Sequence, residues 1–264
     1  MSIILIQGGG DLASGVALRL HRSGYQVLIS ELPQPLSVRR AVSFSEAVYE
    51  GQVTVEDVTA SLVKTPAEIQ SLFTQAKIPV LIAPELQFST LGLQLAAIID
   101  ARLLKKRLPH CELELFPLKI GLGPGFIAGE NCHAAIETNR GHRLGRVYWT
   151  GATEADTGQP EGDPRRVLRA PTDGVLTGCA EIGDHVEPGQ TVAEIGGQAI
   201  CAPFGGVVRG LIRPGLEVGK NLKIGDIDPR DVREYCFLAS DKSLSIGGAV
   251  LEALLGYETR QHGR

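Results

Sequence analysis

No two of the five cysteines form a C-x-x-C pair; they are odd in number and widely spaced. That excludes a disulfide framework and points to a reduced, cytoplasmic protein. No H-x-x-x-H or His/Cys spacing marks a zinc site, so His133 and His142 read as structural residues and no metal is expected. Long apolar runs are missing as well. The stretch after Met1 is only a few residues long before glycines interrupt it, too short for a signal peptide or a membrane span. Positive charge is not in excess: the formal net charge is −4, which argues against nucleic acid or an anionic membrane as the main partner.

What is present is a globular composition, 43% apolar and 21% charged over 264 residues, enough for one large domain or two smaller ones. The chain is organised around residues 3 to 31. Ile3-Ile4-Leu5-Ile6 reads as a buried parallel strand, and Val16, Leu18 and Leu20 fit an amphipathic helix ending near Gly24. Tyr25 to Ser30 reads as the next strand. Between the first strand and the helix lies Gly8-Gly9-Gly10-Asp11-Leu12-Ala13-Ser14-Gly15, in which Gly8, Gly10 and Ala13 satisfy G-x-G-x-x-G/A. Glu31 closes the second strand, where an acid takes ribose hydroxyls. Such glycines let backbone N–H groups approach an anion at a helix N-terminus. The alternative is a tight strand–helix turn with no ligand.

Farther on, Arg39 and Arg40 could clamp a phosphate, and equally could be a solvated face. Ser45 to Gly51 reads as a short helix, and Val53 to Val63 contains a strand. Thr65-Pro66-Ala67-Glu68 is a capping box opening a helix to about Ala76, and Ile78 to Ala83 is a third buried strand. Leu91 to Arg107 is ambiguous: Leu95 to Ile99 fits a strand ending at Asp100, and Leu93 to Lys106 fits one helix. Leu118 to Leu122 is a strand that runs into a second glycine loop, Gly123-Pro124-Gly125-Phe126. Ala134 to Glu137 and Arg146 to Trp149 read as strands, and Gly151 to Arg165 as a linker.

An internal repeat follows. Ala170-Pro171, Gly174-Val175, Gly178, Gly183 and Val186 recur as Ala202-Pro203, Gly206-Val207, Gly210, Gly215 and Val218, an offset of 32 residues. Duplicated halves with glycine turns suggest a small β-sandwich. The region resembles the biotinyl/lipoyl-type barrel-sandwich, whose modified lysine sits on the hairpin between the halves. Here that hairpin is Ile195-Gly196-Gly197-Gln198-Ala199-Ile200, and no lysine occurs between Lys119 and Lys220, so the carrier function is removed and a structural or docking role remains. The last stretch returns to helix over Ile246 to Leu255, with Asp241 or Ser243 as N-cap and Gly247-Gly248 allowing close packing. The expected fold class is α/β, a Rossmann-like doubly wound sheet plus a small all-β barrel-sandwich. Its parts are a Rossmann-like domain over 1–165, the barrel-sandwich over 166–230, and a helical segment over 231–264 docking on the first domain.

Several motifs together carry a resemblance over nearly the whole chain: Gly8 to Gly15, Arg39 to Gly51, Gly121 to Phe126, Ile136 to His142, and Ser240-Asp241-Lys242 with Ile246-Gly247-Gly248. The chain resembles the YqeB-type accessory proteins of selenium-dependent molybdenum hydroxylase systems, themselves similar to the xanthine dehydrogenase accessory (XdhC-like) Rossmann proteins. The resemblance implies a cytoplasmic role in maturing a client molybdenum hydroxylase, by handling the molybdopterin cofactor or its sulfur or selenium ligand.

Three functions follow. The first is an accessory protein binding a phosphate-bearing pterin or nucleotide, the anion held by Gly8, Gly9, Gly10, Asp11, Ala13 and Ser14, with Glu31 beside it. Arg39 and Arg40 would neutralise charge, and Gly123 and Gly125 would cover the other side. The second is an NAD-dependent oxidoreductase, for which Glu31 favours NAD over NADP, but no Tyr-x-x-x-Lys or His–Asp pairing supplies a proton donor. Asp11, Asp100 and His142 are its candidate acids and bases. The third is a non-catalytic scaffold docking the client, in which neither Cys132 nor Cys236 has a neighbouring cation in sequence to make it a sulfur carrier. Whether the protein is an enzyme, and whether it self-associates, both stay open.

Overall fold

Aliphatic residues without alternation place β1 (Ile3–Gln7) in the middle of a sheet, because only a strand covered on both faces reads that way. In the computed structural model, which describes residues 2–84, 92–158 and 162–262, Ile4, Leu5 and Ile6 are fully buried. The turn at Gly8–Gly10 leads into α1 (Asp11–Arg22), and β2 (Gln26–Glu31) returns parallel to β1. Next come α2 (Ala47–Glu50), a hairpin of β3 (Gln52–Val55) and β4 (Val58–Val63), α3 (Glu68–Thr74) and β5 (Ile78–Ile82). Then follow β6 (Leu95–Asp100), β7 (Leu118–Leu122), β8 (Ile127–Ala128), β9 (Ala134–Ile136), β10 (Val147–Tyr148) and β11 (Gly151–Ala152). The ambiguous stretch resolves as strand: β6 pairs in parallel with both β1 and β7, while Leu91 lies outside the described residues.

The expected Rossmann-like doubly wound sheet with a barrel-sandwich does not describe the molecule. The central sheet is mixed and nine-stranded, in the order β10-β9-β7-β6-β1-β2-β5-β4-β3, with antiparallel pairs at both margins. A doubly wound sheet needs helical crossovers between its parallel strands. After β6 the connections over 101–117 and 123–133 carry no α-helix, only a 3-10 turn at Leu113–Leu115. The face left bare there is covered instead by α4 (Asp241–His262), which packs on α1 and against β7, β9 and β10.

The repeat builds two four-stranded antiparallel sheets. One has the order β12-β19-β17-β14, from β12 (Val167–Arg169), β14 (His185–Val186), β17 (Gly206–Leu211) and β19 (Lys223–Asp228). The other is β16-β15-β13-β18, from β13 (Gly174–Gly178), β15 (Thr191–Ile195), β16 (Gln198–Cys201) and β18 (Glu217–Val218). Each sheet therefore takes its two outer strands from the other half: β12 and β14 flank β19 and β17, and β16 and β18 flank β15 and β13. The equivalent residues Val186 and Val218 are both buried in the shared core.

Local capping departs from expectation twice. The Thr65 hydroxyl donates to the Glu68 carboxylate at 3.2 Å rather than accepting from a backbone amide, so the helix starts only at Glu68, with Ala67 as cap. The cap of α4 is Ser240, not Asp241 or Ser243: its Oγ accepts the Ser243 amide at 3.1 Å and its carbonyl accepts the Leu244 amide at 2.9 Å. Ser240→Ala is expected to lower stability by about 1 kcal/mol in urea unfolding; an unchanged midpoint and slope would assign the cap elsewhere. No helix among the described residues is long and apolar enough to cross a membrane.

Candidate functional site

The carboxyl ends of β1, β2 and β6 line a pocket with the glycine turn, and the Gly10–Asp11 side of that turn borders a cleft shared with the repeat. The three glycines of the first turn have different reasons to be glycine. Gly8 has φ +91°, a conformation that strains any L side chain, and its amide donates to the Ser30 carbonyl at 2.8 Å. A Cβ on Gly9 would stand 3.0 Å from the Ser45 nitrogen. Gly10 has an ordinary φ of −67°, and a Cβ there would meet only Ser37 Oγ, at 3.8 Å. Neither backbone nor packing asks for glycine at that position.

Glu31 occupies this turn from the side. Its carboxylate accepts the Gly9 amide and the Leu32 amide, each at 2.6 Å. Burial raises its pKa, and the two amide bonds oppose the rise. One amide assigned to an external anion is thus already directed at an internal one. Around Glu31 lies a pocket of about 360 Å³ with Gly8, Gly9 and Gly10 on its floor and Leu32, Leu36 and Leu104 at its rim. Ala13 is buried, and Ser14 serves the fold, its hydroxyl donating to the Gly9 carbonyl at 3.2 Å and accepting the Phe44 amide at 2.8 Å.

The arginine pair separates. Arg40 turns away, donating to the Leu211 carbonyl at 3.2 Å and the Glu181 carboxylate at 2.9 Å. Arg39 turns inward and is only 8% exposed. Its Nη2 donates to the Tyr235 and Leu238 carbonyls, both at 3.1 Å. Nε and Nη1 are buried without a hydrogen-bond partner, and Asp11 Oδ2 stands 3.7 Å from Nη1. Burial first, and then Arg209, push its pKa down.

Arg39, Gly10 and Asp11 form one wall of a cleft of about 480 Å³; Arg166, Arg209 and Lys223 face them from the repeat. Arg209, on β17, has a buried Nε without a partner, 3.8 Å from Asp228 Oδ2, and that carboxylate is already gripped by Arg230 at 2.6 and 3.0 Å. Asp226 is held by Arg166 at 2.9 and 2.8 Å, with Lys223 Nζ at 3.6 Å. Desolvation lowers the Lys223 pKa against the pull of Asp226. Two acids, Asp11 and Asp226, face this group of cations. A second cavity of about 680 Å³ continues past Leu12 and Lys105 to Pro124, so the second glycine loop flanks the cleft. Gly123 and Gly125 themselves make the turn, with φ +77° and +99°, and pack on Thr138 and the Lys106 carbonyl.

The sequence reading missed Arg166, Arg209 and Lys223 because no spacing connects them with Arg39. It also missed two cation–thiol pairs. Lys119 Nζ lies 3.4 Å from Cys111 Sγ, and Cys236 is buried beside Arg39 and Arg209, where burial nevertheless pushes its thiol up. Burial pushes Cys132 up to about 12. Asp100 pairs with Arg102 at 2.9 and 2.5 Å.

No family model matches the chain. It is 44% identical over 257 residues to the uncharacterized protein YqeB of Escherichia coli strain K12, a match covering 96% of this chain and 47% of that protein. The chain thus spans about half the length of the curated relative it matches. Among solved structures, an aspartoacylase family protein from Mesorhizobium loti is 13% identical, with 86% of this chain and 84% of that one covered, at a TM-score of 0.28. A succinylglutamate desuccinylase/aspartoacylase from Rhodobacter sphaeroides is 10% identical, covering 76% and 57%, at 0.24. Similarity at that level supports no argument about fold or activity.

Proposed function

We propose that the chain binds a small phosphate-bearing molecule, of molybdopterin or nucleotide type, against the glycine turn at the start of α1, and serves as an accessory protein in maturing a molybdenum hydroxylase. The observation that carries this reading is Gly10. It is a glycine that the fold does not need, at the N-terminus of a 12-residue helix, beside a buried arginine with unpaired N–H groups. A bare backbone there leaves room for an anion, and the helix end and Arg39 both favour negative charge. The resemblance of its motifs to the molybdenum hydroxylase accessory proteins is what suggests the pathway and the client partner.

Glu31 favours a second reading, NAD binding, since its carboxylate borders the same turn. Native mass spectrometry of protein purified from cells that make molybdopterin separates the two by the mass retained. Gly10→Ala is expected to fold, with a melting temperature lowered by no more than a few degrees through the poorer helix cap, and to lose the retained molecule. Equal retention by the variant would move the ligand away from this turn.

A further inference from the structure

We infer that the repeat is half of the ligand site, and that the group it receives carries at least two negative charges, a phosphomonoester or diphosphate seated between Arg39 and Arg209. This deepens the phosphate-binding reading and rests on it. Sequence alone gives the repeat a structural or docking role, since it lacks the carrier lysine. The structure gives it chemistry of its own.

Three observations carry the inference. Arg39 and Arg209 come from opposite walls of one cleft, and each buries guanidinium nitrogen without a hydrogen-bond partner. A buried N–H of a charged group left without an acceptor is unfavourable, and two guanidinium groups of like sign facing each other add to the cost. Next, the protein's own carboxylates answer them by charge alone and accept no hydrogen bond from these N–H groups. Asp11 and Asp228 stop at 3.7 and 3.8 Å, Asp228 is held by Arg230, and Asp226 by Arg166. Last, Lys223 lines the same cleft as Arg209, its Nζ 3.6 Å from Asp226, so a further cation borders the site. A single carboxylate could neutralise one guanidinium and leave the other. A phosphate dianion has both the charge and the oxygens to take planar N–H forks from two sides.

The probe is inorganic pyrophosphate, titrated calorimetrically into the full chain at low salt, with acetate as the monoanion control. Wild type is expected to bind pyrophosphate at least tenfold more tightly than acetate, and more weakly as salt rises. Arg209→Met is expected to lose at least tenfold in pyrophosphate affinity while its melting temperature without anion holds or rises, because a repelling buried charge has gone. A lower melting temperature with unchanged affinity would make Arg209 structural and overturn the inference. If Gly10→Ala loses pyrophosphate and Arg209→Met does not, the glycine-turn reading stands and this one falls; the reverse pattern keeps phosphate binding, on which this inference rests, and overturns only its placement at the glycine turn. Equal binding of acetate and pyrophosphate, or none of either, also overturns it.

Discussion

Gly15→Val is expected to destabilise the protein by about 3 kcal/mol or more, the upper end for overpacking, and to lower the melting temperature by roughly 10 °C. A Cβ on Gly15 would lie 2.5 Å from the Ser243 Cβ and 2.7 Å from the Ser243 carbonyl carbon. Backbone cannot swing aside as a long side chain can. The contact is reciprocal, since a Cβ on Gly247 would stand 2.7 Å from the Gly15 carbonyl oxygen. Relief therefore requires α4 to move off α1, and Ser240 and Lys242 at its start, both lining the cleft, move with it. Gly248, one residue on, would have nothing within 4 Å of an added methyl group, so Gly248→Ala should stabilise by up to about 1 kcal/mol through helix propensity alone. Urea unfolding of the two variants checks both signs; a well-tolerated Gly15→Val would mean the helices cross differently.

Arg213→Met should be costly near neutral pH and less so in mild acid. Arg213 comes from the loop after β17 and reaches across to α2, with Nη2 and Nε 3.0 and 3.2 Å from Glu46 Oε2, a further contact to Glu50, and its guanidinium 4.7 Å from the Tyr49 ring centre. Glu46 is 5% exposed, and burial raises its pKa even with the arginine present. Removing the arginine leaves that carboxylate buried alone, a loss of about 3 kcal/mol at pH 7.5, allowing for the partial exposure of Arg213. The pH dependence follows from the direction of the shift. A carboxyl whose folded pKa exceeds its unfolded value holds the extra proton in the folded state, so acidification favours folding. The penalty should be smaller at pH 5 than at pH 7.5, as protonation removes the stranded charge. Guanidinium unfolding at both pH values measures it, and an equal loss at each would assign the effect to lost packing on Tyr49.

Much of the local structure near the amino end was legible in the sequence. Unbroken aliphatics gave β1, β2 and β5, and the glycine turn opened α1 where expected. The sheet's margins were legible only in part: β10 falls within the strand read at Arg146 to Trp149, but the β3–β4 hairpin read as a single strand and the separate β8–β11 pair was missed, because antiparallel pairing of such short pieces depends on partners rather than on pattern. Helical crossovers expected after β6 are replaced by a helix from the far end of the chain, a tertiary choice that no window around residue 101 contains. At the site, Gly10, Arg39 and Glu31 could be found from their place beside the turn. Arg40 could not be told from Arg39 in sequence, because only the fold decides which guanidinium turns inward. Arg209 carries no motif; the proposed role exists only because β17 packs beside the Val38–Val42 segment that carries Arg39.

The two halves of the repeat, which lend each other β14 and β18, have a further consequence. Such a half is complete only in company: alone, it would present an unfilled sheet edge, and its natural remedy is a twin. The Gly196–Gly197 turn tethers that twin covalently, converting an encounter between separate molecules into closure within one. A concentration-dependent assembly thereby becomes a permanent wall, able to hold Arg209 at a fixed distance from Arg39 however dilute the protein is.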